Sequence, residues 1–316
     1  MTTCDVAYIV LTNHKSGQLL RLTRALRSGS PRAAIFMHWD AKAGAPPGPE
    51  LAELDVMLIE PRVPVYWGDD SMVRAMLHSL TYARNRADFR YIAILSGQDY
   101  PLRPLAAIER DLLGGGVDAF MEADRDHEYS HRYLYRYWRL PRCPYTYRVP
   151  APIRHTINGL RKGLNRLQPF LRIEMSPCKQ PSRLGIRWPV PFGPRFPCYF
   201  GSDWFTLSRR ATDYLLSFAA QRPNVMKHYA HTLIPSESFF ATVLANADGL
   251  SVVLDDNRRF ILWPNDHAAH PVTLTMAHFD AMATSGKGFC RKFDMDQDSA
   301  VLDALDRHLS STSLAT

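Results

Sequence analysis

The chain has 316 residues, enough for one large α/β domain or two modest ones, and its 46% hydrophobic content is ordinary for a globular protein. No uninterrupted apolar run approaches the roughly 18 residues of a membrane span, and no basic segment precedes the first apolar run, so we expect a cytoplasmic protein without a signal peptide. The net charge of +7 is uneven, since residues 132–195 contain 14 Lys and Arg but one acid, which leaves 24 basic against 30 acidic residues elsewhere.

The first 125 residues alternate short apolar runs, typical of strands, with segments in which apolar residues recur at helical spacing. The predicted strands are VAYIVLT (6–12), AAIFMHW (33–39), VMLIE (56–60), YIAILSG (91–97) and VDAFME (117–122). The predicted helices are 17–26, 72–83 and 104–113. This alternation predicts an α/β fold with a mostly parallel, doubly wound sheet flanked by helices, and a site at the carboxyl ends of its strands.

The basic stretch lies in a segment of different character, 127–196, which is rich in Arg, Pro and Tyr. We predict an irregular insertion over the site, with one helix near 153–167 and a Pro-rich, extended end. After it, the predicted elements are CYFGSDWFTLS (198–208), helices near 209–220, 236–247, 276–284 and 297–309, and a strand near 258–263. We predict a single domain over residues 1–316 that carries this insertion.

Several common motifs are missing. The sequence has no P-loop, no G-x-G-x-x-G fingerprint and no nucleophile elbow. Its 12 His never occur in H-E-x-x-H spacing and its five Cys form no C-x-x-C pair, so we expect no zinc site. The basic stretch suggests an anionic partner, which can be a charged acceptor, a lipid surface or nucleic acid. No zinc finger or RNP-like aromatic pattern is present, so no nucleic-acid partner is expected.

Four carboxylates occupy places where a substrate site would form. Asp40 closes the second predicted strand, Asp99 follows the fourth, Asp203 lies in GSDWF, and Glu237 begins a predicted helix. A single carboxylate at a strand end is often only the cap of the next turn. Four such placements in one α/β chain favour a common functional site.

Glu237 lies in the segment LIPSESFF (233–240). Pro235 fits just before a helix and Ser236 is the predicted N-cap, so Glu237 falls in the first turn. The helix macrodipole favours an ionised carboxylate there. This corner either holds Glu237 only as a favourable surface charge or aims a carboxylate at a substrate.

Six motifs in order give the sequence a specific resemblance. They are HWDAK (38–42), VYWGDDSMVRAML (65–77), YIAILSGQDYPL (91–102), GSDWFTLSR (201–209), IPSESFFATVL (234–244) and GFCRKFD (288–294). Together they resemble the core-2/I-branching family, which contains β-1,6-N-acetylglucosaminyltransferases and peptide O-xylosyltransferases. The sequence departs from the family in HWD, where HVD is usual, and in about 125–196, which does not align.

The resemblance implies a GT-A-type glycosyltransferase fold, a UDP-sugar donor carrying GlcNAc or xylose, inversion at the anomeric carbon, and no metal cofactor. Basic side chains would hold the diphosphate instead of a metal, and fixed cations can stabilise the charge on a departing UDP. Lys292 matches the family's diphosphate lysine, beside Arg291, and its arginine partner is either Arg258 or Arg259. Asp40 and Asp99 complete the expected donor side.

The resemblance also implies a general base that takes the proton of the acceptor hydroxyl. Glu237 matches the base of the β-1,6 branch, whereas Asp203 matches an acidic residue of the xylosyltransferase branch, and the choice between them stays open. The expected acceptor contacts are Arg132, Tyr133, Trp204 and Trp263. The acceptor would be a saccharide or a small molecule, and the basic insertion favours an anionic one or contact with a membrane surface. The alternative is a sugar-nucleotide or glycan-binding protein without turnover.

Overall fold

A seven-stranded sheet forms the centre of the fold. The computed structural model describes residues 2–13, 17–140, 150–174, 182–265, 268 and 270–313. The strands of this central sheet are β1 (Thr2–Thr12), β2 (Ala34–Trp39), β3 (Val56–Leu58), β4 (Ala87–Ser96), β6 (Ala119–Phe120), β12 (Thr206–Ser208) and β13 (Val252–Val253). Their spatial order is β13-β6-β12-β4-β1-β2-β3, and only the two pairings of β12 are antiparallel. The predicted mostly parallel sheet is confirmed.

The described residues form ten α-helices. They are α1 (Gly17–Gly29), α2 (Gly48–Glu53), α3 (Ser71–Arg86), α4 (Leu105–Gly114), α5 (Ala151–Leu167), α6 (Arg209–Gln221), α7 (Pro223–Tyr229), α8 (Ser236–Ala245), α9 (Phe279–Thr284) and α10 (Ala300–Ser313). Helices α3, α6 and α8 pack against the side of β1 that carries Ile9, and α1, α4 and α10 against the side that carries Tyr8. Both faces are buried, so the strands are apolar on both sides, and the doubly wound architecture is confirmed.

Part of the segment 127–196 is more regular than predicted. Strands β8 (Tyr135–Arg139), β9 (Leu171–Glu174) and β10 (Arg183–Arg187) form an antiparallel sheet in the order β8-β10-β9, and α5 packs on β9. In β8 the alternate residues Tyr135 and Tyr137 are buried and contact Leu233. The expectation of an irregular insertion is therefore wrong for these strands. In β8 the buried face is made of Tyr, and Arg and Trp occupy the other face. Residues 141–149 and 175–181 of this segment lie outside the described residues.

Two small sheets bring distant parts of the chain to the central sheet. Strand β15 (Phe289–Arg291) pairs with β14 (Arg259–Ile261) and with β5 (Tyr100–Pro101), while β11 (Phe200–Gly201) pairs with β7 (Ala123–Asp124). The GFCRKFD motif therefore lies directly beside the loop that follows β4. Across the described residues, no helix is long and apolar enough to cross a membrane.

Candidate active site

The carboxyl ends of β1, β2 and β4 meet at one edge of the central sheet. There the Asp40 N–H donates to the Thr12 carbonyl at 2.9 Å, and the Gly97 N–H donates to the Leu11 carbonyl at 3.2 Å. Strand β12 runs antiparallel to β4, so the residues before β12, including Asp203, reach the same edge. The sheet thus gathers motifs that are far apart in the sequence.

The LIPSESFF corner presents Glu237 in the first turn of α8, as predicted. The predicted N-cap is wrong: Pro235 occupies the cap position without a side-chain hydrogen bond, and Ser236 is already helical. The Ser236 hydroxyl instead donates a hydrogen bond to Asp203. Ser236 therefore joins the start of α8 to the GSDWF motif.

The residue before this turn has an unusual backbone conformation. Ile234 has a φ of 50°, in the left-handed region that a β-branched residue rarely adopts. Its N–H donates to the Gly68 carbonyl at 3.1 Å, and its carbonyl accepts from the Tyr133 hydroxyl at 3.3 Å. Tyr133 is completely buried, so this structure does not support the predicted contact between Tyr133 and an acceptor. Tyr133 instead supports the backbone at Ile234, three residues before Glu237.

Glu237 lies beside Asp203 and Arg132 at this edge of the sheet. Burial of the carboxyl group, together with the charge of nearby Asp203, raises its pKa to about 7 despite Arg132 beside it. The Arg132 Nη1 lies 3.3 Å from Oε2 of Glu237, and the Arg132 guanidinium stacks 4.0 Å from the centre of the Tyr129 ring. The Glu237 side chain is 32% exposed, so a substrate hydroxyl has access to it.

Asp203 is half-buried, like Glu237, but one of its carboxylate oxygens is fully enclosed. Its Oδ1 is buried without a hydrogen-bond partner among the described residues, and burial raises its pKa although Ser236 and Arg291 act in the opposite direction. Asp203 lies close enough to Glu237 for the two carboxyl groups to interact. Its negative charge consequently adds to the rise in the pKa of Glu237.

Arg291 links the acidic pair to the loop after β4. Its guanidinium lies 3.9 Å from the centre of the Trp204 ring, and Nη1 lies 3.7 Å from Oδ1 of Asp99, which is fully buried. Burial lowers the pKa of Arg291, while Asp99 and Asp203 act against that shift. Arg291 thus lies between Asp99 and Asp203. Asp203 is followed by a second acid, Glu237, which in turn pairs with Arg132.

The two arginines considered as diphosphate partners are both engaged elsewhere. Arg259 is buried and donates to the carbonyls of Ile94 and Asn257, each at 2.5 Å. The Nη1 of Arg258 lies 3.8 Å from Asp111. Neither geometry supports direct contact with a donor, so this role stays a prediction for both. Arg259 instead lies close enough to Asp99 for that carboxylate to favour its charged form.

Of the other predicted donor and acceptor residues, Asp40 is bonded to local partners, whereas Lys292 and Trp263 are partly exposed. Asp40 accepts from the Lys42 N–H at 2.9 Å and lies 3.4 Å from its ammonium, which is the geometry of a turn cap. Lys292 follows β15 and is partly exposed; its ammonium makes no hydrogen bond or ion pair with the residues that the structure describes. Trp263 is 55% exposed, and within the same described chain no ring contact joins it to the Glu237 cluster.

The sequence also contains two pairs of adjacent acids, Asp69–Asp70 and Asp255–Asp256, and one member of each pair forms an ion pair with a nearby basic side chain. Asp70 precedes α3 and pairs with Arg74 at 3.0 Å, whereas Asp256 binds the Lys287 ammonium at 2.8 Å. In the described parts of the chain, no three His, Cys, Asp or Glu side chains are grouped to hold a metal ion. The expectation that the activity requires no metal stays a prediction. The described cysteines Cys4, Cys198 and Cys290 are free thiols, whereas Cys143 and Cys178 lie outside the described residues.

Comparison with known families decides what this arrangement belongs to. A family model described as Core-2/I-Branching enzyme matches residues 6–284. The chain belongs to the core-2/I-branching enzyme family. The match runs through the central sheet, the Glu237 corner and α9, so it includes Asp99, Asp203 and Glu237 and ends before Arg291.

The similar curated members of the family carry two kinds of name. Beta-glucuronosyltransferase GlcAT14A of Arabidopsis thaliana is 27% identical over 96% of this chain and 64% of its own length. Beta-glucuronosyltransferase GlcAT14B of the same plant is 35% identical over 36% of this chain and 26% of its own length. Human xylosyltransferase 1 is 29% identical over 64% of this chain and 18% of its own length. The chain therefore spans less than two thirds of each of these relatives.

Solved structures add a distant likeness. Mouse xyloside xylosyltransferase 1 in its apo form matches with a TM-score of 0.35 and 10% identity, over 91% of this chain and 95% of that one.

In this family member, the structure selects among the residues that the motifs singled out. It brings together six of them, namely Asp99, Arg132, Asp203, Trp204, Glu237 and Arg291. It leaves Arg258 and Trp263 apart from them in the described contacts. Sequence reasoning missed Ser236 as the partner of Asp203, because local spacing does not predict a pairing across 33 residues. It also missed Tyr129 as the ring beneath Arg132, although the two are only three residues apart, because that part of the chain was expected to be irregular.

Proposed function

We propose that this protein is a metal-independent, inverting glycosyltransferase that moves a sugar from a UDP-sugar to an acceptor hydroxyl. The proposal depends chiefly on Glu237, an accessible carboxylate whose pKa of about 7 lies near the operating pH of most enzymes. Membership of the core-2/I-branching family, whose curated relatives are named as sugar transferases, supports transfer as the reaction class.

Glu237 is the better candidate for the base. In the proposed reaction the acceptor oxygen attacks the anomeric carbon as the bond to UDP breaks, and Glu237 takes the hydroxyl proton. One oxygen of Asp203 is buried without a partner among the described residues. The Asp203 carboxylate also accepts a hydrogen bond from Ser236 and lies near Arg291, so it is suited to hold these two side chains in place. Its charge keeps Glu237 more basic than an isolated carboxylate would be.

Positive side chains take the place of a metal in this proposal. Arg291 is fixed between Trp204, Asp99 and Asp203, and Lys292 follows it in the chain with no ion pair in the described structure. A cation held in a site of low polarity stabilises the negative charge that develops on departing UDP. Arg291 replaces Arg258 and Arg259 as the proposed arginine partner of Lys292. The fold we assign under this proposal is of the GT-A type.

The proposal leaves three candidates for the donor sugar. The motifs favour GlcNAc or xylose, and the names of two relatives add glucuronic acid. A screen of UDP-GlcNAc, UDP-xylose and UDP-glucuronic acid for hydrolysis and for thermal stabilisation of the protein would identify the donor.

Turnover in EDTA tests the proposal against the alternative of a glycan-binding or sugar-nucleotide-binding protein. We expect release of UDP from the accepted donor to continue in EDTA. Lys292→Ala should weaken UDP affinity by roughly tenfold to a hundredfold, the loss of one charge-assisted contact, and added Mn²⁺ should not restore it. A wild-type protein that loses activity in EDTA and regains it with Mn²⁺ would show that metal independence is wrong. Binding of UDP-sugars without any transfer would favour the binding protein.

A further inference from the structure

A pocket of about 370 Å³ lies between α5, β9 and the 3₁₀ turn Glu128–Leu134. We call it the basic pocket, and its charged lining is Arg132, Arg161, Lys162, Arg166, Arg172 and Glu174. Five cations therefore surround one acid. The volume is within the range of pockets that hold small ligands.

Internal pairing leaves most of this positive charge unbalanced. Glu174 lies 3.4 Å from both Arg161 and Arg172. Lys162 and Arg166 are exposed, and neither makes an ion pair with the side chains that the structure describes. An opening lined in this way attracts anions and concentrates them locally.

The positive charges of the basic pocket also affect a neighbouring histidine. His131 also lines the basic pocket, and its ring nitrogen contacts the Glu128 carbonyl. Burial lowers the pKa of His131, and the charges of Arg172 and Arg132 lower it further. Fixed like charges around one opening repel one another, and a bound anion would relieve that repulsion.

Arg132 connects the basic pocket to the proposed general base. It lines the pocket, and its Nη1 lies 3.3 Å from Glu237 Oε2. A molecule whose hydroxyl lies at Glu237 can therefore extend along Arg132 into the basic pocket. The donor side, at Arg291 and Asp99, is reached from Glu237 through Asp203 instead.

From this juxtaposition we propose that the acceptor is an acidic saccharide, whose carboxylate, sulfate or phosphate group occupies the basic pocket while its hydroxyl lies at Glu237. The inference rests on the proposed transfer function but concerns binding, so it can be tested without turnover. The ligating side chains would be chiefly Lys162 and Arg166, whose charges have no acidic partner in the described chain.

Matched glycosides test the inference directly. Methyl β-glucuronide and methyl β-glucoside differ only at C6, where a carboxylate replaces a hydroxymethyl group, and their binding to the protein can be compared by saturation-transfer NMR. We expect the glucuronide to bind at least roughly fivefold more tightly, with a preference that shrinks as salt rises. Equal affinities at low salt would overturn the inference.

A pair of double variants locates the binding. Lys162→Gln with Arg166→Gln removes two charges from the basic pocket, whereas Arg24→Gln with Arg32→Gln removes two exposed charges near α1, on the other face of the sheet. The pocket pair should reduce the preference for the glucuronide roughly fivefold to tenfold, and the control pair should leave it unchanged. Thermal stabilisation by UDP checks that each variant is folded. Equal losses in the two pairs would show that only net charge matters and would overturn the inference.

A lipid headgroup is the other source of such an anionic group, because α5 also exposes the apolar residues Ile153, Ile157, Leu160, Leu164 and Leu167. Vesicles of phosphatidylglycerol and phosphatidylcholine distinguish it in a sedimentation assay. Binding to the anionic vesicles that depends on Lys162 and Arg166, without any preference for the soluble glucuronide, would overturn the inference in favour of a membrane surface. If the glucuronide preference holds while no UDP-sugar is turned over, the proposed function fails and the anion site stands.

Discussion

At the scale of single residues, the site depends on how two carboxylates divide their roles. Glu237 is partly exposed and its pKa is raised to about 7, whereas one oxygen of Asp203 is enclosed and the carboxylate is bonded to Ser236. A group that must accept a proton from a bound hydroxyl needs access, and a group that only holds its neighbours does not. The enclosed Oδ1 of Asp203 and its bond to Ser236 therefore favour Glu237 as the base, a choice that the sequence motifs left open.

Substitution of each carboxylate by its amide tests this division. Glu237→Gln should retain UDP binding and lose transfer by roughly 10²–10⁴-fold, because the amide keeps the size but cannot take the proton. Asp203→Asn should cost less in transfer, since Glu237 remains. Both rates would be compared at saturating donor, with UDP affinity as the control. Near-normal transfer by Glu237→Gln together with an inactive Asp203→Asn would make Asp203 the base.

At the scale of elements, the strands and helices near the site differ in how far the sequence predicts them. Strand β4 and helix α8 are apolar and are bounded by turn residues, so both their positions and the first-turn place of Glu237 could be predicted. The alternation of Tyr with Arg and Trp in β8 could also have been read, but the surrounding charge obscured it. The pairing of Arg132 with Glu237 spans 105 residues and depends on how β8 and its preceding turn pack, so spacing alone could not predict it.

Strand β11 illustrates an element whose packing requires glycine. A Cβ at Gly201 would lie 2.2 Å from the Glu122 carbonyl oxygen and 2.8 Å from the Ala241 Cβ on α8. Gly201→Ala should therefore destabilise the protein by about 1–3 kcal/mol, because backbone must move to admit the methyl group. The change also displaces Asp203, two residues later, so transfer should fall as well.

The same substitution in α5 provides the control for this prediction. Nothing lies within 4 Å of a Cβ at Gly163, which is inside the helix. Gly163→Ala should stabilise the protein by about 0.5–1 kcal/mol, because Ala loses less conformational entropy than Gly on forming a helix. Urea denaturation would measure both variants. A Gly201→Ala protein as stable as the wild type would show that α8 does not pack this tightly against β11.

At the scale of the whole molecule, placing two carboxylates close together and partly out of water lowers the stability of the folded protein, and packing elsewhere offsets this loss. Helices on both faces of the sheet give the protein a large buried core, and that core fixes Asp203 and Glu237 near each other although both charges lose hydration there. The sign of this cost depends on pH. Because the folded-state pKa of Glu237 is above its ordinary value of 4.5, the folded protein holds the proton more tightly than the unfolded chain does. Stability from this group is complete below about pH 4.5 and is lost as the pH rises towards 7.

Glu237→Gln removes this titration and should change the pH dependence of the melting temperature. The difference between the variant and the wild type should shift in favour of the variant between about pH 5 and about pH 8, since only the wild type must then hold a negative charge on the partly buried Glu237. Other groups titrate in both proteins and cancel in the difference. Asp118→Asn is the matched control, because burial raises the pKa of Asp118 but bonds from Ser251, Ser208 and Arg210 lower it in sum. Its difference should stay flat over this range, since Asp118 is ionised throughout. A flat difference for Glu237→Gln as well would mean that Glu237 is charged at low pH and is not poised near neutrality as a base.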